Sequence, residues 1–270
     1  MPRQSLSDKR LGWGLRVWVA VVAAVLLAPT LVVIPMSFSA SETFQFPPHK
    51  WSWRWYEEFF SSPKWTDSLL TSVQVGLMVA VIATVLGVAA AFGLDRTRWR
   101  ARGAVRSAMM APMIVPGIVV AIAIYGVFLR WQLNGTLLGF VLAHTVLAVP
   151  FVVTSMQTSL AGYDRTMETA SASLGAGWVT TFLRVTLPQV LPGIGSGFVF
   201  AFVTSLDEVV IALFLQTPDI RTMPVQMYDS ITAEIDPTIG AASSLIMVAT
   251  TVVLLVPLLV RRAPRRSQRS

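Results

Sequence analysis

An all-α polytopic membrane protein is the fold class this sequence predicts, and three observations carry that expectation. Apolar residues make up 54% of the 270 and charged residues only 13%. The apolar residues come in long uncharged runs, not at the 3.6-residue spacing of a soluble amphipathic helix. The short alternating segments of a barrel are not seen. Backbone amides in a bilayer core have no water to bond, so runs of this kind become helices.

A helix needs about 20 predominantly apolar residues to cross a core of roughly 30 Å. Residues 15–36, 68–94, 107–130, 135–160, 193–215 and 240–260 meet that standard. The first span follows a basic N-terminus, residues 1–14. A basic stretch and an apolar run also describe a secretory signal, but this run exceeds the usual signal core of about 7 to 15 residues. An outer loop, 37–67, holds WSWRWYEEFF. Trp and Tyr favour the water–lipid boundary, so Trp51, Trp53, Trp55 and Tyr56 are expected on the outer surface in a short interfacial helix.

The core, 68–260, opens with the second span. In the third, Pro112 and Pro116 each remove a helix hydrogen bond, which predicts kinks near its cytoplasmic third and leaves open a helix broken beside a pathway or a kinked helix that simply packs. Asn134-Gly135 is a short turn that predicts a tight hairpin of spans three and four. His144 is expected to be a neutral, hydrogen-bonded packing residue in span four. In the fifth span Asp207 and Glu208 stand midway along an otherwise apolar helix. Carboxylates at that depth are costly unless they face protein or water, so at least one is expected to line a cation-favouring substrate pathway. The competing reading is a structural pair bonded to Thr204, Ser205 or another subunit. A basic tail, 261–270, follows the sixth span.

Net charge is +7, and its distribution gives it meaning. Arg3, Lys9, Arg10 and Arg16 stand at or before the start of the first span, five arginines lie in 95–106, two in 164–192 and five in the tail. The other side holds Lys50, Arg54, Lys64, Arg130 and Arg221, along with acids such as Glu57, Asp219, Asp229, Glu234 and Asp236. Basic loops stay cytoplasmic, which places both termini and 164–192 on the cytoplasmic side of the membrane. The basic charge is therefore a mark of topology, and no nucleic acid partner is expected. Cysteine is absent and His49 and His144 are the two histidines, which excludes disulfides, thiolate metal sites and paired-histidine haem ligation. No phosphate-binding Gly-rich loop occurs, so no nucleotide, metal or other cofactor is expected on this chain.

The polar segment 164–192 stands apart from the spans around it. Asp164 suits an N-cap, 165–173 a turn or two of helix, and Leu174-Gly175-Ala176-Gly177 a break. Trp178 to Val185 suit a second short helix that Leu187-Pro188 ends, after which Pro188 and Pro192 redirect the chain into span five.

That segment resembles the cytoplasmic signature of binding-protein-dependent ABC importer permeases: Glu-Ala-Ala, three residues, Gly, nine residues, Ile, one residue, Leu-Pro. Gly175, Val185, Leu187 and Pro188 match the spacing, with Val in place of Ile. Counting back from Gly175 puts Thr169 at the usual Glu position, followed by Ala170 and Ser171, while Glu168 stands one residue early. From Trp65 to Val260 the chain resembles permeases of the spermidine/putrescine type.

The resemblance implies a type I importer fold and a non-catalytic subunit. It would form half of a pathway with a second permease, as a homo- or heterodimer, beside two ATPase subunits and an extracytoplasmic binding protein. ATP and Mg²⁺ would be used by the ATPases. Glu168, Thr169, Ala170, Gly175, Val185, Leu187 and Pro188 would form the coupling segment, moved when the ATPases close. Polyamine is the expected substrate, with ferric ion, sulfate, molybdate or aminophosphonate as alternatives. An intramembrane enzyme using Asp207, Glu208 and His144 is a reading from another class, and requires those groups to converge on a water-accessible pocket. A channel is a third, and predicts flux without ATP.

Overall fold

The computed structural model describes residues 6–97, 99–233 and 236–262. Arg3, Arg98, Glu234 and the tail from Ala263 onward lie outside the described residues. Among the described residues the regular structure is helical, apart from one isolated bridge between Ser39 and Trp51. Five helices are long and apolar enough to cross a membrane, and a bent helix pair makes a sixth crossing if taken as one span. The chain divides into two compact units.

One unit holds the described residues up to Ser62 together with Ser230–Val248. Helix α1 (Leu6–Ser37) leads into an aromatic knot. Phe38 meets Trp53 edge-on at 4.8 Å and Tyr56 at 4.9 Å, and the Tyr56 hydroxyl lies 2.7 Å from Ser37 Oγ. Helix α2 (Arg54–Ser61) is the short helix expected of this stretch. Trp51 and Trp53 are exposed, but Trp55 is buried together with Phe59, so the aromatics do not all lie at the surface. The reason is helical spacing: residues 55 and 59 share the buried face of α2.

The other unit holds Pro63–Asp229 and the described residues from Ala249. Its core is a trio of packed helices: α3 (Pro63–Arg96), α6 (Leu137–Ala161) and α9 (Leu187–Leu206). Lipid tails are as apolar as leucine, so spans associate through close packing, and small residues permit it. A Cβ on Gly87 of α3 would come within 2.6 Å of Val152 Cβ on α6, and one on Gly193 of α9 within 2.5 Å of Ser159 Cβ. Thr136 begins α6 by accepting the Gly139 N–H at 3.0 Å, a side-chain N-cap.

Between α3 and α6, the third span takes the broken form of the two that its prolines left open. Helix α4 (Arg102–Ile114) stops, and α5 (Gly117–Trp131) departs at 104° after Val115 and Pro116. Val115 is extended, as the residue before a proline prefers, and the chain turns there. Gly135 has the positive φ of +69° that its turn needs. The hairpin does not close along its length, however: α4 packs on α6, while α5 packs on α10 (Val210–Leu215) with Tyr125 against Phe214.

The polar segment supplies α7 (Thr166–Ser173) and α8 (Trp178–Thr181). Beyond α10 come α11 (Met223–Thr232) and α12 (Thr238–Arg262).

Candidate functional site: the segment between α6 and α9

Asp164 Oδ1 accepts the Thr166 N–H at 2.9 Å, which starts α7 one residue later than an N-cap at Asp164 would. That backbone bond holds the Asp164 carboxyl below the usual carboxylate range. The helix ends in a Schellman motif. Ala176 N–H reaches back to the Ser171 carbonyl at 3.1 Å and Gly175 N–H to Ala172 at 2.9 Å, with Gly175 at φ +83°. Glycine is the residue that adopts that torsion without a Cβ penalty.

The second helix does not end at Leu187-Pro188. From α8 the chain passes through a five-residue π segment, Phe182–Thr186, directly into α9, and Trp178–Leu206 is one uninterrupted span. Pro188 lacks an N–H and its ring crowds the carbonyl four residues back. One turn of wider helix, with Leu187 N–H bonded to Phe182, lets the proline enter without a break. Pro188 and Pro192 thus lie in the first turns of α9 and do not redirect the chain.

Glu168 is the hub of the segment. Its Oε1 accepts from Arg96 at 2.7 Å, Thr186 Oγ1 at 2.8 Å and the Tyr163 hydroxyl at 3.1 Å. Tyr163 and Thr186 are also 3.1 Å apart, so two hydroxyl protons serve three contacts. Burial first, and then the Glu168 carboxylate, raises the Tyr163 phenol, so it keeps its proton and donates. A second ion pair, Arg165 with Asp95, lies beside the first. The arginines are exposed and their carboxylate partners half-buried, so each pair contributes only about 1 kcal/mol. Their effect is geometric: α7 is clipped to the end of α3, and through Thr186 to the start of α9. Signature spacing marks Glu168 in the sequence but not Arg96, Tyr163 or Thr186, because its partners lie up to 72 residues away.

The other signature positions do not join this network. Thr169, Ala170, Gly175 and Pro188 are exposed, while Val185 and Leu187 are half-buried. Ion pairing falls to Glu168 and not to the position held by Thr169. On the same segment large apolar side chains stand uncovered: Leu174 is 89% exposed and Trp178 71%, with Val179 and Leu183 also exposed.

The acidic pair of span five lies at a break, not midway along a helix. Helix α9 stops at Leu206, and α10 starts at Val210. Glu208 Oε1 accepts the Ile211 N–H at 2.7 Å and so caps α10, while Asp207 is exposed. His144 is buried on α6, with Nδ1 2.9 Å from Ser205 Oγ and its ring edge-on to Phe140. Among the described residues no hydrogen bond joins His144, Asp207 and Glu208 to one another.

A family model described as binding-protein-dependent transport system inner membrane component matches residues 83–267. The chain is 29% identical over 245 residues to the spermidine/putrescine transport system permease protein PotC of Haemophilus influenzae, covering 90% of this chain and 94% of that one. It is 29% identical over 235 residues to the putrescine transport system permease protein PotI of Escherichia coli, covering 84% and 83%. Among solved structures, a bacterial ABC transporter involved in the import of alginate superposes with a TM-score of 0.70 at 16% identity, over 98% of this chain and all of that one. The MetNI methionine ABC transporter gives 0.60 at 15% identity, over 73% and 94%.

Proposed function

Because this chain belongs to the binding-protein-dependent transport system inner membrane component family, we propose that it is the permease subunit of an ATP-driven polyamine importer and forms half of its pathway. The polyamine reading rests on relatives named for spermidine and putrescine, and on an exposed carboxylate, Asp207, at a helix break within a span. Glu208 spends one carboxylate oxygen on capping α10, so Asp207 is the acid we assign first to the pathway. The machine would comprise a second permease, two ATPases that use ATP and Mg²⁺, and an extracytoplasmic binding protein. Both termini and the 164–192 segment would face the cytoplasm, in keeping with the arginine distribution.

The observation that carries the coupling assignment is the contrast within the segment. Its polar side chains are turned inward on Glu168, while Leu174, Trp178, Val179 and Leu183 are presented outward. Exposed apolar side chains on a braced element suit a protein partner. An ATPase seated there would push on α7, and the Arg96 and Thr186 bonds would pass the displacement to α3 and α9. Gly175→Arg tests this: a long side chain at a left-handed position inside the contact is expected to abolish substrate-stimulated ATP hydrolysis in liposomes. An assembled, fully coupled Gly175→Arg transporter would remove the assignment.

A further inference from the structure

We propose that the pocket where α3 and α6 end beside the start of α4 is a seat for the phosphate of an anionic membrane phospholipid. The inference goes beyond the importer reading and does not depend on the solute carried. The pocket has a volume of about 270 Å³ and is lined by Leu94 and Asp95 of α3, Gln157 and Leu160 of α6, and Arg102 and Arg106 of α4. Sites that enclose a whole small ligand run to roughly 300–1,000 Å³, so this one suits a head group whose remainder lies outside.

The charge on that lining is positive. Arg102 and Arg106 stand one turn apart on a helix that contains no acid, and like charges at that spacing repel. Neither guanidinium forms an ion pair or a hydrogen bond with another described residue. Asp95, the acid of the lining, is already answered by Arg165, which pairs with its carboxylate and bonds its carbonyl. Gln157 is half-buried, and its amide has no hydrogen bond among the described residues. Two guanidiniums that each grip a pair of phosphate oxygens, and an amide whose N–H donors can turn to a third, suit an oxyanion.

The rest of that face selects a lipid over a free phosphate. At 100° per residue Arg102, Arg106, Met109 and Met113 fall within about 60° of one another around α4, and roughly 16 Å separates the first from the last. Met109 is half-buried and Met113 exposed. Helix α4 runs away from the end of α6 as it goes: Arg106 shares the pocket with Gln157 and Leu160, whereas Met110 Sδ meets Thr154 Oγ1 at 3.8 Å. Cations at the boundary, followed by apolar side chains toward the bilayer centre, match a head group followed by an acyl chain.

Native mass spectrometry of the full chain, isolated with the subunits that accompany it, measures the binding without need of turnover. Wild type is expected to hold phosphatidylglycerol at least about tenfold more tightly than phosphatidylcholine, whose choline the arginines repel. Arg102→Gln with Arg106→Gln should bring the two lipids level, while the charge-matched pair Arg100→Gln with Arg184→Gln, outside the pocket, should keep the preference. No preference in wild type, or equal loss from both pairs, overturns the site. Displacement of phosphatidylglycerol by millimolar inorganic phosphate would make the ligand a free anion and overturns the lipid. Binding confined to permease stripped of its other subunits would give the arginines to a protein partner, and overturns the proposal too.

A second variant keeps every charge. Gln157→Leu removes the amide alone, and its phosphatidylglycerol affinity should fall about fivefold. An unaltered affinity overturns the pocket as the seat, even if the double arginine variant does not fold.

Discussion

The two ends of α9 invert the usual expectation of where a helix stops. At its start the chain passes through Pro188 and Pro192 without a break, whereas at its far end it stops between Leu206 and Val210 with neither proline nor glycine present. The difference lies in where backbone polar groups find partners. At the start, the π segment re-pairs the ladder around the proline, and Thr186 is tied to Glu168. At the end, two carboxylates in an apolar span find relief through the break, which exposes Asp207 and gives Glu208 a backbone N–H. Polar satisfaction decided both outcomes over residue identity.

The largest expected effect comes from packing at the unbroken end. Gly193→Val would drive a Cβ into Ser159, at a cost of about 1–3 kcal/mol or more, and its melting temperature in detergent should fall sharply or the protein fail to accumulate. Gly195→Ala, where a Cβ meets nothing within 4 Å, should melt no lower than wild type. At the broken end, Asp207→Asn should impair polyamine uptake while Glu208→Gln leaves it nearly unchanged, because the amide oxygen still accepts the Ile211 N–H. Equal loss in both variants would put the two acids in one role. Smaller still, Thr186→Val removes one bond to Glu168 and should cost about 1 kcal/mol by the same melting assay.

The spans were legible because length and apolarity are local properties of the chain. The Gly175 turn was legible too, since one torsion requires glycine there. The 104° bend between α4 and α5 was foreshadowed by Pro116 but not in size, because the angle depends on which helices each half packs against. The break at Asp207 had no breaker residue to announce it, and Pro188 announced one that the π turn absorbed. Buried Trp55 resembles an interfacial anchor in the sequence because composition alone does not separate the two faces of so short a helix. Within the candidate site, spacing marked Glu168 and Gly175. It could not identify Arg96 or Thr186, whose meeting with Glu168 depends on how α3 and α9 return to the same end of the core.

If the braced start of α9 carries force from an ATPase, its seat is the exposed pair Leu174 and Trp178. Leu174→Asp with Trp178→Asp alters side chains that are already exposed, so the permease itself should melt as wild type does. Co-purification of the ATPase with this variant, followed by substrate-stimulated ATP hydrolysis in liposomes, is the direct measurement. ATPase retention and stimulation should both be lost from a folded permease; a fully assembled, fully stimulated variant would place the ATPase elsewhere.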